Sequence, residues 1–553
     1  MLRPSRHWPP RGEGSAFTRG ARWRITGAPP VARSPLFGRL LHSLRLASWL
    51  DAHRVSTAEG IERREEHRAR RRALLAGAVG ALGCATTSAL PTAGRGRRAG
   101  DARVVIVGAG LAGLTAATRL AQAGIHARVF DAQRRVGGRA FTLRGHFPTK
   151  AELGGELIDT THTSMRALVR ELGLTLVDRD QGMEPGVERE RYVMLGQSWS
   201  ERQVVEMFRP VAGLIRRDRA LLGGREVSHA HHTPAAESLD ALSTGAWLDR
   251  NGVRGPLRAL LDVAFTSELG RDLDAQSALT FLYAIGGDPD GFSLYGERDH
   301  RYVVAEGSDA VPRAMATRLG DALMPGHALM ALRPREDGGV RCVFDREGGT
   351  VEVDADRVIL ALPFNQLKRC ELSVELPPSK RRAIAELAYG TNTKVFITTA
   401  GRPWRQEHSS GTTFHDGGIY QQSWESVRSA NTDVALLTAF SGGRLGVSLG
   451  ESNPEAQGRR FAEALDLVFP GSADAFTGRA ARMHWPAAPF QEGSYACYGP
   501  GDWCRLGGEE AGAAGAVHFA GEHTSRRAPG YMEGAVESGE RAAREVIAAA
   551  RRA

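Results

Sequence analysis

Gly108-Ala109-Gly110-Leu111-Ala112-Gly113 sets three glycines at a spacing that suits phosphate chemistry. The run follows the apolar stretch Val104 to Val107 and opens a segment, Leu111 to Ala123, with helical periodicity. Strand, glycine turn and helix therefore stand in the order a pyrophosphate site requires. Gly108 permits the tight turn, Gly110 lets the main chain approach a pyrophosphate, and Gly113 lets helix pack closely on strand; the helix N-terminus then favours the anion. A second strand, His126 to Phe130, ends in Asp131, placed to accept a hydrogen bond from a ribose hydroxyl. This βαβ unit predicts a dinucleotide site, and NAD and FAD share it.

The residues C-terminal to Asp131 separate the two cofactors. The runs "AQRRVGGRAFT" and "AELGGELID" come next, and later "VVAEGSDAVPRAMATRLG", "GGVRCVFDREGGTVEVDADRVILALPFNQL" and "VHFAGEHTSRRAPGYMEGAVESGERAA". With these the sequence resembles the flavin-containing amine oxidase family over roughly residues 102 to 549. The resemblance implies an α/β fold, a Rossmann-like FAD-binding domain interleaved with an α+β substrate-binding domain. It also implies that Arg135 and Arg139 pair with the pyrophosphate, and that Gly137, Gly138, Gly154 and Gly155 let the backbone lie against phosphate and isoalloxazine. Gly521 and Glu522 would reach the phosphate and ribityl region, and the Met532 N–H, at a helix start, would face the pyrimidine edge of the flavin.

The same resemblance assigns three residues to the chemistry. Lys394, in "YGTNTKVFITT", is one of only four lysines and stands at the entry to an apolar strand, where the family carries a lysine that holds a water against flavin N5. Tyr531 and Tyr495 would form an aromatic cage that strips water from an amine and aligns its lone pair. Tyr498 is the rival of Tyr495 within "FQEGSYACYGPGDW". Ser494 precedes the cage tyrosine where the mitochondrial monoamine oxidases carry the cysteine of their covalent flavin link, so the FAD is expected to be non-covalent. The implied reaction passes a hydride from the amine α carbon to flavin N5, with dioxygen as acceptor and an imine or aldehyde and hydrogen peroxide as products. An L-amino-acid oxidase is the nearest alternative and needs an arginine for the substrate carboxylate, with Arg298, Arg301 and Arg402 as candidates. A carotenoid or porphyrinogen desaturase needs no tyrosine pair, and a prenyl-binding escort protein needs no intact glycine loop.

These groups have to be positioned by a chain of 553 residues, enough for two domains. The expected partition assigns residues 101–172, 300–390 and 488–550 to the FAD domain and 173–299 and 391–487 to the substrate domain. The net charge of +9 is unevenly distributed: residues 1–100 carry 19 Arg and 6 acidic residues, and the other 453 carry 53 basic and 57 acidic residues. The body thus offers no electrostatic case for nucleic acid. Residues 1–100 read as a mostly disordered leader, with "LFGRLLHSLRLASWL" able to form an amphipathic helix. An export signal is expected near residues 68–90, where Arg71 and Arg72 precede an apolar run too short to span a bilayer. That reading implies a twin-arginine route to a periplasmic or lipid-anchored site, with a translation start near Val55; without it the protein is cytoplasmic. No transmembrane helix is expected in the folded body. Five cysteines lack metal spacing, Cys497 and Cys504 are read as free thiols rather than a pair, and His229, His231 and His232 as a solvated loop, so no metal is expected.

Overall fold

The computed structural model describes residues 35–62, 102–179, 186–223, 226–285, 300–426 and 433–552. A five-stranded parallel sheet carries the nucleotide fingerprint: β1 (Val104–Val107), β2 (Ala127–Asp131), β3 (Leu323–Pro325), β4 (Arg357–Leu360) and β5 (Val517–Phe519). Their spatial order is 3-2-1-4-5, so the direction of winding reverses at β1, where ligands of such sheets bind beyond the strand C-termini. Every residue of β1 is buried. Val104 and Ile106 face a core shared with the crossover helix (Leu111–Gln122) and the C-terminal helix (Met532–Ala550), whereas Val105 and Val107 face a second core. A strand covered on both faces needs no polar alternation, which is why β1 reads as an unbroken apolar run. The second core lies under a four-stranded sheet that includes His327–Pro334 and Val340–Arg346, and Phe130 of β2 stacks on Phe344 there with centroids 4.3 Å apart.

A seven-stranded sheet forms the other half. Its order runs Phe476–His484, Thr393–Ala400, Val434–Ser441, Gln422–Glu425, Thr413–His415, Arg191–Met194 and Gln197–Trp199. Against it and beside it lie the helices Glu201–Ala220, Gly255–Leu269 and Ala278–Ile285. No helix among the described residues is long and apolar enough to cross a membrane.

Residues 35–62 depart from the expectation of a mostly disordered leader. Pro35–His53 is a helix whose Phe37, Leu40, Leu41, Leu44, Ala47 and Leu50 recur at helical spacing and are buried in the same core as the three helices just named. Each buried leucine contributes roughly 1.5–3 kcal/mol of transfer free energy, so packing of the apolar face holds the helix more than propensity does. Polar contacts fix its register: Arg45 donates from Nε to Ile285 O (2.8 Å) and from Nη2 to Ala284 O (2.7 Å), satisfying the last carbonyls of the Ala278–Ile285 helix. Arg216 pairs with Asp51, and Ser43 Oγ donates to Glu201 Oε1 at 2.6 Å. The leader therefore contributes an element to the core through residues 35–53. The twin-arginine pattern and the apolar run after it lie outside the described residues.

Candidate active site

The glycine loop sits against β4 and β2. Gly108 has φ +107° and donates to Phe130 O at 2.7 Å; a Cβ there would lie 2.7 Å from Ala361 O. A Cβ on Gly113 would fall 1.9 Å from Gly108 O, whereas one on Gly110 would meet nothing within 4 Å. Two glycines are thus demanded by the protein itself, and the third borders open space. Asp131 accepts from Ala109 N (2.6 Å) through one oxygen and from Gln133 N (2.7 Å) through the other, so its carboxylate splints the loop while lining the cleft.

Hydrogen bonds carry the cradle onward in steps. Gly137 N donates to Ala109 O (2.9 Å), and Gly155 N donates to Arg139 O (3.0 Å). A Cβ on Gly154 would lie 1.8 Å from Arg139 O, and one on Gly155 would lie 2.9 Å from Met532 Cγ. Gly137, Gly138, Arg139, Gly154 and Gly155 all line one cleft with the glycine loop, Gly521, Glu522 and Met532. Arg135 does not. Its guanidinium turns back to Gly138 O (2.9 Å) and lies 4.3 Å above the Phe141 ring, because a half-buried cation in that turn finds an acceptor and a π face closer than the cleft. Of the two arginines expected at the pyrophosphate, Arg139 alone lines the cleft.

Glu522 does more than border the cofactor region. One oxygen accepts from Arg139 Nη1 (2.8 Å) and Ala496 N (3.2 Å), and the other from Gly530 N (2.7 Å). Ala496 follows Tyr495 and Gly530 precedes Tyr531, so one buried carboxylate ties the two tyrosine-bearing strips together. The tyrosines also share an anchor. Tyr495 Oη donates to Ser267 O and Tyr531 Oη to Glu268 Oε1, both at 3.4 Å, and these acceptors are consecutive residues of the Gly255–Leu269 helix. Both rings line the cleft, and the edge of His162 packs against Tyr531 with centroids 5.2 Å apart. Tyr498 is excluded from the cleft: its hydroxyl donates to Glu510 on the far side of the strip.

Lys394 is 6% exposed on the Thr393–Ala400 strand and lines the same cleft. Its ammonium donates to Glu152 O (2.9 Å), Gly154 O (3.0 Å) and Glu156 Oε2 (3.2 Å), and lies 5.6 Å from the centre of the Trp424 ring. Glu156, buried, accepts from Trp424 Nε1 at 3.3 Å through its other oxygen. Glu156 escaped the sequence reading although it stands inside "AELGGELID". The signal was available: a buried lysine requires a carboxylate, and this run supplies two beside the glycines. The other, Glu152, accepts from Thr142 Oγ1 (2.8 Å) and Ser308 N (3.2 Å), and burial pushes its carboxyl up to about 7.

Ser494 donates to Asn392 Oδ1 at 2.6 Å, and both line the cleft. Cys497 and Cys504 are separate thiols. Among the described residues no group of three metal-ligating side chains occurs; His231 and His232 are exposed and engage the carbonyls of Ala230 and Ser228. Of the candidate carboxylate clamps, Arg301 pairs with Asp178 (2.7 Å) and Arg402 with Glu425 (2.7 Å), and neither lines the cleft. Arg298 lies outside the described residues.

The cleft holds about 1420 Å³, its open mouth included. It runs from the glycine loop to the tyrosines, and its glycines leave no room for a Cβ where backbone meets backbone. An extended dinucleotide with a planar headgroup fits this shape, and the fold and site together define a dinucleotide-dependent oxidoreductase. The sequence pattern of the family described as flavin-containing amine oxidoreductase matches residues 111–547. The chain belongs to that family: it binds a flavin and acts on amine donors. A flavin-containing amine oxidase of Danio rerio is 25% identical over 468 residues, covering 81% of this chain and 86% of its own. An L-amino acid dehydrogenase of Synechocystis is 23% identical over 475 residues, 80% and 94% of the two chains. Wild-type putrescine oxidase bound to putrescine superposes with a TM-score of 0.69 at 25% identity, over 81% of this chain and 99% of that one.

Proposed function

We propose that the protein is an FAD-dependent amine oxidase that takes dioxygen as its electron acceptor. FAD, when bound, supplies a two-electron acceptor: the amine α carbon gives up a hydride, the amine leaves as an imine that water converts to aldehyde or ketone, and dioxygen becomes hydrogen peroxide. One observation carries the reading: Tyr495 and Tyr531 line one cleft, tied to consecutive residues of a single helix, in the same cavity as the buried Lys394.

Two phenol rings held this way present π faces to a substrate nitrogen, exclude water from it and limit its approach to one direction. Lys394, fixed by three acceptors, places a positive charge beside the Gly154–Gly155 segment, where negative charge on a reduced cofactor is stabilised. The uncapped N-terminus of the Met532–Ala550 helix acts in the same sense, because Tyr531 at its N-cap supplies no side-chain acceptor. Ser494, which is no nucleophile toward a flavin methyl, supports non-covalent binding.

An amine rather than an amino acid is favoured because, among the described residues, the arginine that lines this cleft, Arg139, is already engaged by Glu522 (2.8 Å) and by Ser494 O (2.6 Å), and the Lys394 ammonium is paired with Glu156. A peroxide-coupled screen of primary amines, polyamines and L-amino acids tests the reading. Peroxide from at least one amine is expected; a yellow protein that makes none with the whole panel refutes it. Acid precipitation should release the flavin into the supernatant, and a coloured pellet would show a covalent link.

A further inference from the structure

Behind the cage lies a second, separate chamber of about 790 Å³, mouth included. Its wall toward the cofactor cleft is a single layer of backbone. Tyr495, Glu522 and Gly530 line the cleft, whereas their immediate neighbours Ala496, His523 and Pro529 line the chamber. No proposed step of amine oxidation uses it.

At its inner end stands His523, 5% exposed, with neither ring nitrogen hydrogen-bonded; its ring packs edge-on to Phe364 at 4.4 Å. Burial pushes this imidazole down to about 3, so it is neutral, with one N–H to donate and one lone pair to offer. Leaving such a buried group unmatched is unfavourable, and an occupant with polar hydrogens would recover the loss. The remaining lining sets the occupant's charge. Glu510 receives the Tyr498 hydroxyl and Gly508 N (3.0 Å), and Glu226 closes the outer end by pairing with Arg526 at 2.5 Å. Glu226 and Arg526 neutralise one another, and Glu510, whose carboxyl burial pushes up to about 7, stands ready to give its proton to a basic amine. The Tyr498 and Trp503 rings, 4.6 Å apart, add π faces, and Leu269 and Leu387 give an apolar side. A carboxyl group, π faces and an imidazole lone pair in one chamber with hydrocarbon match the two ends of a small organic ammonium ion.

We propose that this chamber is a second, non-reacting binding site for small aliphatic amines, with the ammonium directed at His523 and Glu510. The amine class rests on the oxidase reading; the existence of the site rests on the chamber alone. The probe is tert-butylamine, whose α carbon bears no hydrogen and which no oxidation can consume. Equilibrium dialysis of the flavin-loaded protein should find two equivalents bound per chain. Ala511→Phe, which fills the chamber from its rim, should reduce this to one, and His523→Phe should weaken the same equivalent at least tenfold, with flavin content unchanged in both. One equivalent in the unaltered protein, or two that survive both substitutions, overturns the proposal. The two readings fail separately. Two equivalents on a protein that oxidises no amine would sink the oxidase and keep the chamber, whereas peroxide formation with one equivalent would do the reverse.

Discussion

Lys394 and Glu156 show how a buried charge is made tolerable at the centre of an apolar cleft. Each is almost fully enclosed, and each hydrogen-bonds to more than the other: the lysine to two carbonyls, the glutamate to an indole N–H. Removing one partner of such a pair leaves an uncompensated charge and costs about 3–5 kcal/mol, whereas removing both costs far less. Lys394→Met should therefore lower the denaturant midpoint sharply, and Lys394→Met combined with Glu156→Gln should recover most of it; equal losses in the two variants would contradict the pairing. In stopped flow, the single variant should slow flavin reoxidation by oxygen far more than it weakens flavin binding. Glu152 gives a second expectation at this scale. Its carboxyl, raised from 4.5 to about 7 by burial, holds its proton more tightly in the folded than in the unfolded chain. Stability present below the unfolded pKa is then lost as pH rises from about 4.5 to 7, on the order of 3 kcal/mol over that window. Glu152→Gln should flatten this part of the stability curve, measured by urea unfolding at a series of pH values.

At the scale of elements, the Gly255–Leu269 helix joins chemistry to packing. Its C-terminal turn holds both tyrosine hydroxyls, and Phe265, two residues earlier, meets Phe37 of the N-terminal helix edge to face at 4.8 Å. The leader helix thus props the element that anchors both tyrosine hydroxyls. Leu44→Ala, a fully buried truncation within that helix, should cost about 2–5 kcal/mol in chemical denaturation. Deleting residues 1–62 should expose the apolar faces of the Ala278–Ile285 and Glu201–Ala220 helices, and is expected to give aggregation or loss of cooperative unfolding. Intact-mass measurement of the native protein should find residues 35–53 present. A functional protein beginning near Val55 would refute the structural role given to this helix.

Across the whole molecule, the cleft is where separate stretches of chain converge: residues 108–157 and 521–535 from the parallel-sheet side, and Lys394, Trp424 and Phe440 from the seven-stranded sheet. A ligand that touches both halves stabilises the folded state by mass action, about 4 kcal/mol at a thousandfold excess over its Kd. Stripping the flavin should lower the thermal midpoint and split one transition into two, checked by calorimetry of the apo and reconstituted forms; a single unchanged transition would mean that the cofactor does not bridge the halves.

The cofactor cradle was legible in the order of residues alone, because a glycine loop, a strand before it and a helix after it are local, and their spacing states their geometry. The strip carrying Tyr495 and Tyr531 was legible only by resemblance, since nothing in a tyrosine's neighbours says which way its ring faces. Three things were decided by tertiary packing. Arg135 finds Phe141 and a carbonyl within its own turn; Glu156 meets a lysine 238 positions away; and an N-terminal helix, read as part of a loose leader, is buried by partners that begin about 150 residues later. Local pattern specifies backbone conformation and apolar periodicity, but which charge neutralises which, and which apolar face is covered by what, depends on contacts that exist only once the chain has closed on itself.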